Sequence, residues 1–170
     1  MNRSVIKPVP ITADRFAPYG DVIHAAKSAK APMNDAKFER FHDLAKIDVE
    51  SAGGRPAVSI ARCRTATTFP HRFDMVERHP HGSQAFIPLA GFSFIVVVAP
   101  AGEAVDPAEL CAFVTNGTQG VNYHKGVWHM PMIAMEAGQE FLIVDRAPTA
   151  DNCEEFVLGD PLTLEAPQGQ

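Results

Sequence analysis

The chain has 170 residues, of which 46% are hydrophobic and 21% are charged, and this balance is typical of a globular protein and excludes wholesale disorder. Its formal net charge is −5 and it has no run of Lys and Arg, so neither a nucleic acid nor an anionic membrane surface is expected as a partner. At this length we expect one domain over residues 1–170, with Glu165–Gln170 as a loose tail.

The first third of the chain contains one clear strand and two shorter signals. Thr12–Phe16 is expected to form one or two helical turns capped by the Thr12 hydroxyl. Asp35–Leu44 fits both a short helix and a polar strand. Pro56–Thr65 alternates in the period of a strand, with Val58 and Ile60 on one face and small residues on the other.

The middle of the chain predicts two strands and a short helix. Gln84–Leu89 is followed by Ala90-Gly91, a tight turn into Phe92–Ala99, whose β-branched residues are typical of a strand buried on both faces. Asp106 is followed by Pro107, and Glu109 comes three residues after Asp106. This pattern indicates a brief capped helix.

The last third adds a turn and another strand. Asn116-Gly117 predicts a hairpin between Ala112–Thr115 and the segment that starts at Gln119, because both residues tolerate positive φ. Phe141–Asp145 is a further apolar strand. Many short strands separated by turns indicate an all-β sandwich or barrel with few short helices, most simply a jelly roll.

Three features of the sequence bear on the cellular compartment of the protein. Met1–Phe16 lacks the continuous apolar stretch of a signal peptide. The longest apolar run, Ala90–Ala101, has about half the length of a membrane-spanning helix. The three cysteines show no C-x-x-C spacing and are expected as reduced thiols: Cys63, Cys111 and Cys153. We therefore expect a cytoplasmic protein.

Two segments concentrate histidine. In Glu77–Gln84, the residues Glu77, His79 and His81 are spaced by two, so an extended backbone projects them to one face. A carboxylate and imidazoles that converge there suit a divalent metal or acid–base chemistry. The alternative is that they are solvated residues of a loop marked by Pro80 and Gly82.

The second segment, Asn122–Pro131, holds two histidines and the only tryptophan. Gly126 predicts a turn that allows His124 and His129 to face one another from consecutive strands. A lone histidine on an apolar face is more often a core residue than a ligand, but two such segments in one short chain favour a functional site.

The spacing of both segments resembles the two motifs of cupin barrels. Gln84 stands at the glutamate position of the first motif, with His79 and Glu77 at its two histidine positions. His124–His129 resembles the second motif, with His124 in place of its proline. The resemblance implies a cupin-like double-stranded β-helix with a metal or polar cluster formed by Glu77, His79, Gln84 and His129.

Longer strings identify a family. The chain is similar to ureidoglycolate lyases through the strings at Glu77–Leu89, Thr115–Pro131, Phe141–Arg146, Asn152–Glu155 and Glu39–Ala45. The resemblance spans nearly the whole chain from Tyr19 onward. It implies cleavage of ureidoglycolate to glyoxylate and urea in purine breakdown through allantoin, by a homodimer with no organic cofactor and a divalent metal, nickel by resemblance.

The reaction assigns roles to particular residues. His124 or His129 is the expected general base, because histidine titrates near neutrality. Lys125 and Arg40 are the expected cations for the substrate carboxylate, although each is as easily a solvated surface charge. Tyr123 and Asn34 complete the expected substrate-binding set.

Two other functions use the same barrel. A cupin oxygenase needs a site of two histidines and one carboxylate for iron, which Glu77, His79 and His129 could supply. A non-catalytic cupin would bind a small molecule without turnover. Fold alone does not separate these from a lyase.

Overall fold

The computed structural model describes residues 4–25, 30–148 and 150–168, and within them the chain is almost entirely β-structure. The expected loose tail ends at residues 169 and 170, which lie outside the described residues; before them, the Glu165 amide donates to the Ile6 carbonyl. The predicted all-β class with few short helices is confirmed. The only α-helix described, α1, covers Ala13–Phe16, so no described helix could cross a membrane.

Strands are numbered β1 to β15 in chain order and form two large sheets and a hairpin. The eight-stranded sheet contains β1 (Val5–Ile6), β2 (Val9–Pro10), β7 (His71–Arg78), β9 (Phe94–Ala99), β10 (Cys111–Val114), β12 (Trp128–His129), β13 (Ile133–Ala134) and β15 (Glu154–Leu164). The five-stranded sheet contains β3 (Gly20–Ile23), β6 (Arg55–Arg62), β8 (Gln84–Pro88), β11 (Gly120–Tyr123) and β14 (Glu140–Ala147). The hairpin consists of β4 (Lys30–Met33) and β5 (Phe38–Phe41).

The short helical predictions hold. Thr12 caps α1 by accepting from the Arg15 amide. Asp106 caps a 3₁₀ turn over Pro107–Glu109 by accepting from the Ala108 amide. A second 3₁₀ turn covers Ser51–Gly53. The segment Asp35–Leu44, open between helix and strand, contains β5 and no helix.

The buried strand β9 separates two cores. Every residue of β9 is buried, as the β-branched run predicts. Ile95, Val97 and Ala99 belong to a core on one face of the eight-stranded sheet, which Trp128 also joins. The alternate residues of β9 face the five-stranded sheet and pack with residues such as Phe141. The two sheets therefore pack face to face.

One turn prediction is wrong about pairing. Gly117 has a φ of 91°, so the turn at Asn116-Gly117 exists, but β10 and β11 lie in different sheets and form no hairpin. Ala90-Gly91 likewise connects β8 in the five-stranded sheet with β9 in the eight-stranded sheet. The chain crosses between the sheets at both places, because β9 and β10 pair with each other in one sheet while β8 and β11 pair with each other in the other.

The alternating strand β6 shows an unexpected orientation. It is the edge strand of the five-stranded sheet, and its larger apolar residues Val58 and Ile60 are 70% and 55% exposed. The small residues Ala57 and Ala61 on the other face are partly buried. An apolar strip therefore lies on the outer surface of this sheet.

Candidate active site

Three of the predicted cluster residues lie together between the sheets. Glu77 is on β7 and His129 is its direct partner on β12, while His79 follows the end of β7. One nitrogen or oxygen of each side chain lies within 4.8 Å of those of the other two. We call Glu77, His79 and His129 the triad.

Backbone carbonyls fix the orientation of both imidazoles. Nδ1 of His79 lies 2.6 Å from the carbonyl oxygen of Asn152, and Nδ1 of His129 lies 3.0 Å from that of Val127. A carbonyl only accepts hydrogen bonds, so Nδ1 carries a proton in both rings. Nε2 of His129 then faces the Glu77 carboxylate, and Nε2 of His79 faces Gln84.

His129 contains a buried nitrogen without a partner. The side chain is 2% exposed, and its Nε2 has no hydrogen-bond partner within the part of the chain that the structure describes. Its nearest charged neighbour is the Glu77 carboxylate, with Nε2 3.6 Å from Oε1. A buried polar atom without a partner is costly to keep in a folded protein, so it indicates a place for a ligand.

Gln84 and Tyr123 complete the surroundings of the two histidines. Oε1 of Gln84 lies 3.1 Å from Nε2 of His79. The ring of Tyr123 stacks on His129, with centroids 4.4 Å apart and planes 20° from parallel. Tyr123 is buried, and that burial raises the pKa of its phenol. The side chain predicted to bind substrate thus forms a wall behind His129.

Glu77 is ionised at neutral pH. The contact with His129 holds the pKa of Glu77 below its usual range, against the opposing effect of burial. The thiol of Cys153 lies 3.7 Å from Oε2 of Glu77, and burial together with that carboxylate raises the pKa of Cys153. Glu77 is therefore a carboxylate beside a neutral thiol.

The prediction that His124 faces His129 is wrong, because the imidazole of His124 is directed to Asp21 on β3. His124 instead pairs with Asp21, with Nε2 3.1 Å from Oδ2. Asp21 also accepts from Nδ2 of Asn122 at 2.9 Å. His124 therefore lies in a second group of polar residues.

This second group lines its own cavity. His124 shares it with Lys46, Asp48, Ser83 and Lys125. Nζ of Lys125 lies 3.2 Å from the Asp48 carboxylate and 3.0 Å from the Ser51 hydroxyl. Ser83 also lines the cavity beside His79, so the two cavities adjoin at that residue.

Two predicted substrate-binding residues lie away from these cavities. Arg40 is exposed on β5, and Asn34 is exposed in the turn that joins β4 to β5. These strands pair only with each other, and neither Arg40 nor Asn34 lines a cavity with the triad residues among the described side chains.

Sequence reasoning missed several residues of the cavity beside His79. It is lined by His79, Ser83, Gln84, Asp145, Arg146, Asn152 and Cys153. The side chain of Asn152 accepts a hydrogen bond from the His81 amide at 2.8 Å. The imidazole of His81 does not belong to the triad. Asp145, Asn152 and Cys153 all fall within the strings Phe141–Arg146 and Asn152–Glu155 that support the family resemblance, and that was the available signal.

The donor set of the triad fits a divalent cation. Two imidazoles and a carboxylate form the site that borderline metal ions favour, and each imidazole is oriented through Nδ1 as in metal-binding histidines. Without a metal, the same atoms offer a base next to a carboxylate.

Sequence comparisons with known proteins agree on one family. A family model described as ureidoglycolate lyase matches residues 3–165. A protein named ureidoglycolate lyase from Burkholderia cepacia is 48% identical over 162 residues, which cover 95% of this chain and 90% of that protein. A protein of the same name from Pseudomonas aeruginosa is 44% identical over 164 residues, covering 96% of both chains. A solved 3,4-ketoisomerase from Helicobacter canadensis has a TM-score of 0.39 at 15% identity, over 73% of this chain and 80% of that one.

Proposed function

The chain belongs to the ureidoglycolate lyase family, and from this premise we propose that it cleaves ureidoglycolate to glyoxylate and urea, as a carbon–nitrogen lyase of purine breakdown through allantoin. The observation that carries the proposal is the triad, in which the buried Nε2 of His129 has no partner among the described residues and faces the Glu77 carboxylate.

The substrate determines what the site must do. One carbon of ureidoglycolate carries a carboxylate, a hydroxyl and a ureido nitrogen. Cleavage removes the hydroxyl proton, forms the aldehyde carbonyl of glyoxylate, breaks the carbon–nitrogen bond and adds a proton to the departing nitrogen. The reaction consumes no water and needs neither an oxidant nor a covalent nucleophile. The protein therefore has to supply only orientation and proton transfer.

We assign the proton transfer to His129. Its Nδ1 proton is held by the Val127 carbonyl, which leaves the Nε2 lone pair to accept the hydroxyl proton. Glu77, 3.6 Å away, stabilises the imidazolium that forms, and stacking on Tyr123 keeps the ring in place. The same imidazolium can return the proton to the departing ureido nitrogen.

The triad would also hold a divalent metal, through Glu77 and the Nε2 atoms of His79 and His129; the family resemblance suggests nickel. Such an ion, when bound, supplies a Lewis acid that favours the alkoxide form of the substrate hydroxyl. A cation on Nε2 of His129 would occupy the lone pair that otherwise accepts the proton. The two arrangements therefore predict opposite responses to a chelator.

For the substrate carboxylate we propose the cavity beyond Ser83. Lys46 and Lys125 both line it, and an ammonium group attracts a carboxylate as a point charge. His124 lines the same cavity and stays the alternative general base. Arg40 and Asn34 both lie on the exposed hairpin. Their roles in substrate binding stay predictions.

The test is product analysis on freshly prepared ureidoglycolate. Wild type is expected to release urea and glyoxylate in equal amounts. His129→Ala should lower kcat by about 10²- to 10⁴-fold, the usual contribution of a general base. His124→Ala is the matched variant, and under this assignment it changes kcat much less than His129→Ala. Parallel assays with EDTA then show whether a metal is required.

Other outcomes favour other functions. Ammonia in place of urea indicates an amidohydrolase and contradicts the lyase proposal. Bound iron with oxygen uptake favours the cupin oxygenase. Tight binding of glyoxylate without any turnover favours the non-catalytic cupin. A larger loss in His124→Ala than in His129→Ala moves the general base to the second cavity.

We further propose a cytoplasmic homodimer. All three cysteines are free thiols, which agrees with a reducing compartment. The exposed Val58 and Ile60 on β6 form an apolar strip that a second copy could cover. Sedimentation equilibrium measures the oligomeric state directly.

A further inference from the structure

Asp145 lies next to the triad but has no part in the proton transfer described above. It is on β14, which pairs with β8 in the five-stranded sheet. Its Oδ2 accepts a long hydrogen bond, 3.4 Å, from Nε2 of Gln84, whose Oε1 lies 3.1 Å from Nε2 of His79. Asp145 is therefore linked to the triad through one side chain, and it lines the same cavity as Gln84 and His79.

The carboxylate of Asp145 lacks a counter-charge. Within residues 4–25, 30–148 and 150–168, no Lys, Arg or His lies within salt-bridge distance of it. The adjacent Arg146 directs its guanidinium to the carbonyls of Ser51, Ala52 and Pro148 instead. A partly buried carboxylate with one long hydrogen bond has unused acceptor capacity, because each carboxylate offers about four acceptor positions.

We propose that Asp145 recognises the ureido group of the substrate, accepting two N–H bonds from it; this inference rests on the proposed function. A ureido group presents N–H groups from both of its nitrogens on one side, and the two oxygens of a carboxylate match that pair. Charge-assisted bonds of this bidentate kind are stronger than neutral ones. Asp145 is then a specificity-determining residue.

The sign of the charge fixes the orientation of the substrate. Asp145 repels the substrate carboxylate, which therefore points to the opposite side, where the cavity of Lys46 and Lys125 adjoins at Ser83. The carbon that bears the hydroxyl then lies between the two ends, beside the triad. The ureido group that leaves is the group that Asp145 holds.

The test compares two probes with different halves of the substrate. N-carbamoylglycine has the ureido group and the carboxylate but no hydroxyl, and glycolate has the hydroxyl and the carboxylate but no ureido group. Their affinities are measured by isothermal titration calorimetry for the full-length wild type, Asp145→Asn and Asp145→Ala. Asp74→Asn, at an exposed position on β7, is the matched control.

Both Asp145 variants should bind N-carbamoylglycine roughly 10- to 100-fold more weakly than wild type, the effect of losing a charged hydrogen-bond partner. Glycolate affinity and the thermal midpoint should stay as in wild type, and Asp74→Asn should change neither affinity. Two results would overturn the role of Asp145, provided that wild type turns over ureidoglycolate. One is an equal loss of affinity for both probes in the Asp145 variants, and the other is no loss of N-carbamoylglycine affinity in them. A wild type that neither cleaves ureidoglycolate nor binds either probe would instead overturn the proposed function.

Discussion

Backbone carbonyls orient the two histidines of the triad. The carbonyls of Asn152 and Val127 hold Nδ1 of His79 and His129. A carbonyl fixed within a loop or strand has little freedom to move, so each ring is held in one tautomer at low cost in side-chain entropy. The chemistry of the triad therefore depends on the segments that carry these carbonyls.

Arg146 is also held by backbone carbonyls, and these contacts give a prediction of stability. Its side chain is 5% exposed, and its guanidinium donates to the carbonyls of Ser51, Ala52 and Pro148 at 2.8–3.0 Å. An ammonium group cannot reach all three, so Arg146→Lys should lower the free energy of unfolding by about 2–4 kcal/mol. Urea denaturation measures the change.

The matched control for this variant is Arg72→Lys, an exposed position on β7. It should change the free energy of unfolding by no more than about 0.5 kcal/mol. If Arg146→Lys shifted the urea midpoint as little as Arg72→Lys, the three carbonyl contacts would contribute nothing to stability.

The triad, Gln84 and Tyr123 could be predicted from the sequence, but the residues that reach the site from distant strands could not. The spacing of Glu77 and His79 within one extended segment, and the cupin-like spacing of His129, identified all three residues. Asp145 and Asn152 lie more than sixty positions along the chain from Gln84 and His79, and only the pairing of β14 with β8 and of β15 with β7 brings them close. Local patterns carry no information on such contacts.

At the scale of elements, local chemistry predicted where the chain turns but not which strands pair. The buried run of β9 and the capped turns at Thr12 and Asp106 follow from residue type alone. Asn116-Gly117 encodes a reversal of the chain, yet β10 pairs with β9 and β2 while β11 pairs with β3 and β8. Partner choice depends on burial of both sheet faces, which no single turn determines.

The pairing of β3 with β11 gives a prediction at this scale. A Cβ atom at Gly20 would lie 1.9 Å from the backbone oxygen of Asn122, and backbone in a paired strand cannot move away without breaking the pairing. Gly20→Ala should therefore lower the free energy of unfolding by about 3 kcal/mol. Thermal unfolding followed by circular dichroism measures the loss.

Gly159→Ala on β15 is the matched substitution, because no atom lies within 4 Å of its added Cβ. Its effect should stay within about 0.5 kcal/mol. Equal midpoints for the two variants would show that β3 is free to move away from β11, contrary to the close approach at Gly20.

At the scale of the whole molecule, the two cores are joined through β9. Ile95, Val97 and Ala99 of β9 pack into one core, and Phe94, Val96 and Val98 of the same strand pack into the other. The chain ends are also joined, since β1 lies parallel to β15. Because neither core can open without exposing one face of β9, we propose that the chain unfolds as one cooperative domain.

Equilibrium unfolding in urea tests this proposal with probes from each core. Trp128, the only tryptophan, reports on the first core by fluorescence, and Tyr19 and Tyr123 report on the second by near-ultraviolet circular dichroism. The two transitions should have the same midpoint and the same slope, as two-state unfolding requires. Distinct midpoints would mean that the two cores unfold in separate steps. The proposal of one cooperative domain would then fail.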